Sequence, residues 1–155
     1  MLDRSYPDHP TASTRQLADG STYLLRASTP DDRELLLRCF AALSPRSRRL
    51  RFFIEKPALT PEELERFSRV DGHDHIAFVA IRVDARGQEL EPLGFARCQR
   101  LSPGGEVAEL SMVTVDQAQG MGVGSALLSR LIVAAQRKGI DRFWFENERP
   151  FHSGS

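Results

Sequence analysis

The segment of this 155-residue chain best suited to chemistry is rich in glycine. It reads Gln119-Gly120-Met121-Gly122-Val123-Gly124-Ser125 and lies between a Val-Thr-Val strand and an aliphatic run with helical spacing. Glycines let backbone N–H groups turn outward and let a ligand approach the chain closely, and the start of a helix adds partial positive charge. The segment therefore predicts an anion-binding loop at a helix N-terminus.

Two common phosphate motifs do not fit this loop. No Gly-Lys-Ser/Thr follows it, so it is not a P-loop. If Gly120 and Gly122 begin a dinucleotide fingerprint, Ser125 occupies the position of the third glycine. Two alternatives stay open from the residues alone: a tight turn with only a structural role, and a nucleotide or dinucleotide site.

The pattern around the loop predicts the elements that must position it. Strands are predicted over 22–27, 75–83, 93–101, 107–115 and 140–145, and helices after Thr29, Thr60 and Gly124. Short turns join the middle strands into an antiparallel meander, whereas the strand–helix–strand order at the end makes the last two strands parallel. The expected fold is α/β, a mixed and mostly antiparallel sheet with helices on both faces.

Composition and charge limit the functions that the chain could have. Lys plus Arg and Asp plus Glu are both 21, and a net charge of zero argues against nucleic-acid binding. No stretch approaches the roughly 18 apolar residues of a membrane span, and no secretion signal opens the chain. Two distant cysteines, Cys39 and Cys98, are interpreted as small buried residues in a reducing cytoplasm.

The spacing Gln119-x-x-Gly122-x-Gly124 resembles the acetyl-CoA motif of the GNAT acyltransferases. The segments 43–53 and 59–64, and the pair Ala108-Glu109, resemble parts of bacterial protein lysine acetyltransferases within that superfamily. The resemblance covers residues 21–147, flanked by a flexible arm over 1–20 and a polar tail over 148–155. It implies a GNAT fold and an acetyl-CoA-dependent N-acetyltransferase, which acts on a protein lysine or a small amine by direct transfer in a ternary complex.

The resemblance also implies roles for particular residues. Glu109 matches the general base that takes a proton from the amine, and a backbone N–H near Val113 would polarise the thioester carbonyl. The pantetheine arm would pair with the strand like an extra strand, and no metal is implied. The residues implied to bind acetyl-CoA are Met112, Val113, Val115, Gln119, Gly120, Met121, Gly122, Val123, Gly124, Ser125 and Asn147.

Simpler interpretations stand beside these roles. The Gln119 side chain would serve to tie the loop together instead of touching phosphate. The acids and histidines over 71–75 are interpreted as a polar turn in preference to a metal site. The arginine run over 46–51 is a solvated helix end or a surface for phosphate or an acidic partner. Phe143-Trp144-Phe145 is interpreted as core and strand edge.

The C-terminal end departs from the family. GNAT chains usually continue after the residue matching Asn147 with a helix and one or two strands, whereas eight residues follow it here. The expectation is that the last helix and strands are lacking, with no tyrosine general acid, so that the thiolate leaves unaided or through water. An uncovered aromatic strand predicts a homo-oligomer formed through this region, or cover by the N-terminal arm. The alternative function is a non-catalytic or degenerate acyl-CoA-binding module.

Overall fold

The structure is a computed structural model that describes residues 12–42 and 60–145. Within these residues six strands form one sheet, and helices cover both of its faces. The strands are β1 (Ser13–Gln16), β2 (Thr22–Ala27), β3 (His75–Val83), β4 (Glu89–Arg100), β5 (Val107–Thr114) and β6 (Arg142–Phe145). The helices are α1 (Arg33–Ala41), α2 (Pro61–Ser68) and α3 (Val123–Arg137). None of the described helices is long and apolar enough to cross a membrane.

The strands lie side by side in chain order, from β1 at one edge to β6 at the other. Each neighbouring pair from β1 to β5 is antiparallel, and β5 pairs with β6 in parallel. The predicted α/β class, the antiparallel meander and the parallel final pair are therefore confirmed. The helix α3 supplies the crossover that a parallel pair requires.

The N-terminal boundary differs from the expectation. Residues 13–16 fall within the arm predicted to be flexible over 1–20, yet they form β1 and pair with Leu25 to Thr22 of β2. The side chain of Leu17 is buried just beyond this strand. A four-residue polar strand carries little pattern of its own, because β2 supplies the hydrogen-bonding groups that make it a strand.

Both early helices begin as their sequences predict. Thr29 and Asp32 form a capping box over a short 3-10 turn that leads into α1, and Thr60 and Glu63 form another at α2. Arg26 links the 3-10 turn before α1 to the sheet. Its guanidinium lies 2.9 Å from Asp32 in that turn and 2.8 Å from Glu89 of β4.

The sheet has two chemically different faces, which are named after the helices that cover them. On the α3 face, Met112 and Thr114 of β5 lie next to the first turn of α3. On the α2 face, Arg97 of β4 stacks under the Phe67 ring of α2 at 4.5 Å. Because side chains alternate along a strand, the odd-numbered residues of β5 from 107 to 113 belong to the α2 face.

The approach of α3 to the sheet depends on Gly94 in β4. A Cβ built on Gly94 would lie 2.8 Å from the Val113 oxygen, 3.0 Å from Leu127 Cδ1 and 3.1 Å from Thr114 Cγ2. Real Cβ contacts are essentially never below 3.0 Å. No methyl group fits at this position while α3 and β5 keep their places.

We expect Gly94→Ala to lower the free energy of unfolding by about 1–3 kcal/mol, because the added methyl overpacks a site bounded by backbone. Urea titration followed by circular dichroism measures this. The matched control is Gly124→Ala in the first turn of α3, where a Cβ meets Met112 Cε at an ordinary 3.4 Å. Equal stability of the two variants would contradict the packing argument.

Candidate active site

The glycine loop turns sharply and ends in the first turn of α3. Gly120 and Gly122 have φ angles of +83° and +85°, in the left-handed region that favours glycine. Gly122 is the N-cap of α3, and no described side chain caps this helix end. The N–H groups of the first turn, from Val123 to Ser125, are therefore available to an anion, and the helix dipole adds positive potential there.

A cavity opens between this helix end and strand β5. Its volume is about 410 Å³. It is lined by both β5 and the loop: Met112, Thr114, Ala118, Gln119, Gly120, Gly122, Gly124, Ser125 and Leu128. Six of the predicted acetyl-CoA-binding residues thus share one cavity, although they come from separate elements.

The Gln119 side chain ties the loop to the sheet. Its Nε2 donates to the carbonyl oxygen of Thr114 at 3.3 Å. This hydrogen bond corresponds to the simpler of the two interpretations of Gln119, in which the side chain shapes the loop.

The backbone of β5 presents alternate amides to the cavity side. Val115 N donates to Leu93 O, and Leu101 N donates to Val107 O at the other end of the unbroken β4–β5 register. Odd-numbered residues of β5 therefore direct their N–H groups at β4, and even-numbered residues direct theirs away from it. The amide of Val113 itself points into the sheet, so a backbone N–H near Val113 that is open to a ligand would belong to Met112 or Thr114, whose amides point outward.

The other predicted binding residues contribute differently. Val115 and Val123 are buried, so their side chains belong to the core and only the backbone of Val123 faces the helix end. Met121 is an exposed apolar residue within the loop. Asn147 and the segment 43–53 lie outside the described residues.

Glu109 lies half-buried on the α2 face of β5. It is directly across from Gln99 of β4 on one side and from Trp144 of β6 on the other. The outward amide of Met112 is three residues further along the same strand. One strand therefore carries both the candidate base and the amides that border the cavity.

A polar cluster on the α2 face was missed by the sequence analysis. Arg97 donates from Nε to His75 Nε2 at 2.9 Å, from Nη1 to Ser111 Oγ at 3.3 Å and from Nη2 to Gln99 Oε1 at 3.0 Å. With Phe67 these residues are called the Arg97 cluster. The period-two spacing of Arg97 with Gln99, and of Glu109 with Ser111, is the sequence signal that could have revealed a polar stripe.

His75 is neutral within this cluster. Its Nδ1 lies 2.9 Å from the carbonyl oxygen of Arg69, which only accepts, so Nδ1 carries the proton and Nε2 accepts from Arg97. Burial, followed by the charge of Arg97, lowers the pKa of His75 to about 4.

The acidic turn before β3 has a structural role. One oxygen of Asp71 accepts backbone N–H groups from His73, Asp74 and His75 at 2.8–2.9 Å. Burial would raise the pKa of Asp71, but these three hydrogen bonds hold it below its usual value. The polar-turn interpretation accounts for each of these contacts.

Both cysteine side chains are buried. Burial raises the pKa of Cys39 to about 12 and that of Cys98 to about 11. Each thiol is therefore protonated at neutral pH, as the sequence analysis expected of small core residues, and neither has the character of a nucleophile.

The mixed sheet, the crossover helix and the cavity at the N-terminus of α3 form one arrangement that can be compared with known proteins. A model of the GNAT acetyltransferase family matches residues 34–152. The chain therefore belongs to the GNAT acetyltransferase family.

Solved and characterised relatives agree with this assignment. The chain is 32% identical over 129 residues to the acetyltransferase Pat of Mycolicibacterium smegmatis, covering 83% of this chain and 37% of that protein. The GNAT domain of S. lividans PAT matches with a TM-score of 0.72 and 30% identity, over 86% of this chain and 77% of that one. A cAMP-binding acyltransferase from Mycobacterium smegmatis matches with a TM-score of 0.58 and 26% identity. That match covers 99% of this chain and 46% of the other.

The His75 site predicts a pH dependence of stability. Above pH 6.5 the folded and unfolded chains both hold neutral His75. As the pH falls from 6.5 to 4 the unfolded chain takes up a proton that the folded chain refuses, so the free energy of unfolding decreases by roughly 3 kcal/mol. His75→Gln keeps an acceptor for Arg97 and a donor for Arg69 without titrating. In urea titrations at pH 7, 5.5 and 4.5, the wild type should therefore lose more stability than His75→Gln, because the carboxyls titrate in both proteins and His75 in only one. Equal losses in the two proteins would contradict the role of His75.

Proposed function

We propose that this chain transfers an acetyl group from acetyl-CoA to a primary amine. A protein lysine is the first candidate acceptor, and a small-molecule amine is the second. Transfer would occur directly within a complex of the protein, the donor and the acceptor. The observation that carries the proposal is the cavity in which the first turn of α3 and the outward amides of β5 meet.

The residues present fit the donor. Gly120 and Gly122 keep their Cα positions open, with nothing within 4 Å of a built Cβ, so a pyrophosphate would approach the backbone directly. The first-turn N–H groups of α3 would donate to its oxygens. Donation from the Met112 and Thr114 amides would align the pantetheine arm along β5 as strands align with each other.

The acetyl donor supplies a thioester, whose carbonyl carbon is attacked by the amine. In this step the C–N bond forms, the C–S bond breaks, and the thiolate leaves to take a proton from solvent. An outward amide of β5 at Met112 or Thr114 would stabilise the negative charge that develops on the carbonyl oxygen.

The acceptor amine must lose a proton before it attacks, since a free lysine has a pKa of about 10.4. Glu109 is the proposed base, acting directly or through one water. It lies on the strand that borders the donor cavity but on the α2 face, so donor and acceptor would approach the transfer point from different sides of β5.

Two further proposals accompany this function. A cytoplasmic location is proposed because both cysteines are free thiols that form no disulfide. Self-association through β6 follows from Trp144 and Phe145, whose exposed fractions are 48% and 41% on the outermost described strand.

Donor binding is tested by calorimetric titration with acetyl-CoA, free coenzyme A and ATP. We expect micromolar binding of both coenzyme A species and none of ATP. Gly122→Val should weaken the binding of acetyl-CoA at least tenfold, about 1.4 kcal/mol, because the valine side chain would enter the cavity. Gly72→Val controls for backbone strain, since Gly72 has a φ of +75° in a distant turn. ATP binding without coenzyme A binding would instead favour the nucleotide alternative.

The role of Glu109 is tested by thiol release from acetyl-CoA with Nα-acetyl-lysine amide as acceptor. Glu109→Gln should lower kcat about 100-fold or more, the contribution of a positioned base, while the affinity for acetyl-CoA stays unchanged. The matched control is Glu106→Gln, an exposed carboxylate just before β5. Binding without turnover in the wild type would favour the non-catalytic acyl-CoA-binding module.

A further inference from the structure

The Arg97 cluster holds the positively charged guanidinium of Arg97 rigidly in the half of the α2 face that carries Glu109. Three of the Arg97 hydrogen bonds go to neutral acceptors on three different side chains, and the Phe67 ring covers the guanidinium at 4.5 Å. Each bond comes from a different nitrogen of the guanidinium. A planar guanidinium with three hydrogen bonds and a ring against one face is held in a single orientation.

The β4–β5 register locates this guanidinium relative to Glu109. Gln99, which accepts from Arg97 Nη2, is the residue directly across from Glu109. Ser111, which accepts from Nη1, is two residues beyond Glu109 on the same face of β5. Arg97 is itself the diagonal neighbour of Glu109, within reach of long side chains. The register and these two hydrogen bonds therefore place the Arg97 guanidinium on the same face as Glu109, bonded to the residue directly across from it.

His75 keeps the Arg97 cluster in this arrangement at neutral pH. Its buried ring is held in one tautomer by the Arg69 carbonyl, so Nε2 always offers a lone pair to Arg97 Nε. The charged groups around it are Arg97 on β4, Arg66 on α2 and Asp71 on the preceding turn. The lowered pKa of His75 means that this acceptor is retained across the neutral range.

We propose that Arg97 is a positioning residue for acetyl transfer, which orients the Glu109 carboxylate toward the acceptor amine. The inference rests on the proposed function, because it assigns Arg97 a role through the base named there. A lysine at this position would preserve the charge but not the three hydrogen bonds, because an ammonium group lacks the planar donor geometry of a guanidinium.

The kinetic test measures thiol release with Nα-acetyl-lysine amide in four variants. Arg97→Gln should lower kcat by up to about 100-fold without changing the acceptor KM or the calorimetric affinity for acetyl-CoA. In the Glu109→Gln background the same change should lower kcat less than twofold, since Arg97 acts through that carboxylate. Arg82→Gln is the matched control, because Arg82 forms an ion pair with Glu91 elsewhere on β3 and β4.

Conservative variants separate positioning from simple charge. Arg97→Lys should recover only part of the lost kcat. His75→Gln, which still accepts from Arg97, should retain more of kcat than His75→Leu, which does not. A raised acceptor KM with unchanged kcat in Arg97→Gln would show that Arg97 binds the acceptor itself, and would overturn the proposal.

A double-mutant cycle of urea midpoints tests the pair without any turnover. If Arg97 holds Glu109, the separate losses from Arg97→Gln and Glu109→Gln should sum to more than the loss in the double variant. The cycle of Arg82 with Glu109 should be additive. Additivity for Arg97 with Glu109 would overturn the inference. If the Arg97–Glu109 cycle is non-additive but the wild type shows no acetyl transfer, the proposed function is overturned and the pair is purely structural.

Discussion

The close contact between the N-terminal part of α3 and the β4–β5 pair is the constraint on which the rest of the structure depends. Gly94 makes that contact sterically allowed, because the space of its missing side chain is filled by Leu127, Thr114 and the Val113 carbonyl. The helix end is thereby set beside the outward amides of β5. The proposed anion site and the proposed strand-pairing site then share one cavity without any charged side chain being required.

The two faces of β5 carry different chemical groups. The α3 face and the cavity edge are built of glycines, small side chains and backbone amides, which suit a long donor that lies along the chain. The α2 face carries Glu109 and the Arg97 cluster, the groups to which the proposed function assigns the deprotonation of the acceptor. Strand alternation accounts for this division, since neighbouring residues of one strand project to opposite sides.

The glycine loop could be identified from the sequence because its signal is local. Gly120 and Gly122 need left-handed φ angles, and a short run of residues shows this need directly. The same holds for the capping boxes at Thr29 and Thr60. The Arg97 cluster gave no comparable signal, because its members come from β3, β4, β5 and α2. Only the sheet register brings them together.

The sequence by itself determined the element types, the antiparallel meander, the parallel final pair and the loop that opens α3. These follow from periodicity, capping residues and turn glycines, all of which act over a few residues. The tertiary structure decided that residues 13–16 become a strand, that Met112 and Thr114 and not Val113 turn their amides outward, and that Arg97 lies diagonally across from Glu109 on one face of the sheet. Each of these depends on which strand lies alongside and in which register, and a partner distant in the chain sets both.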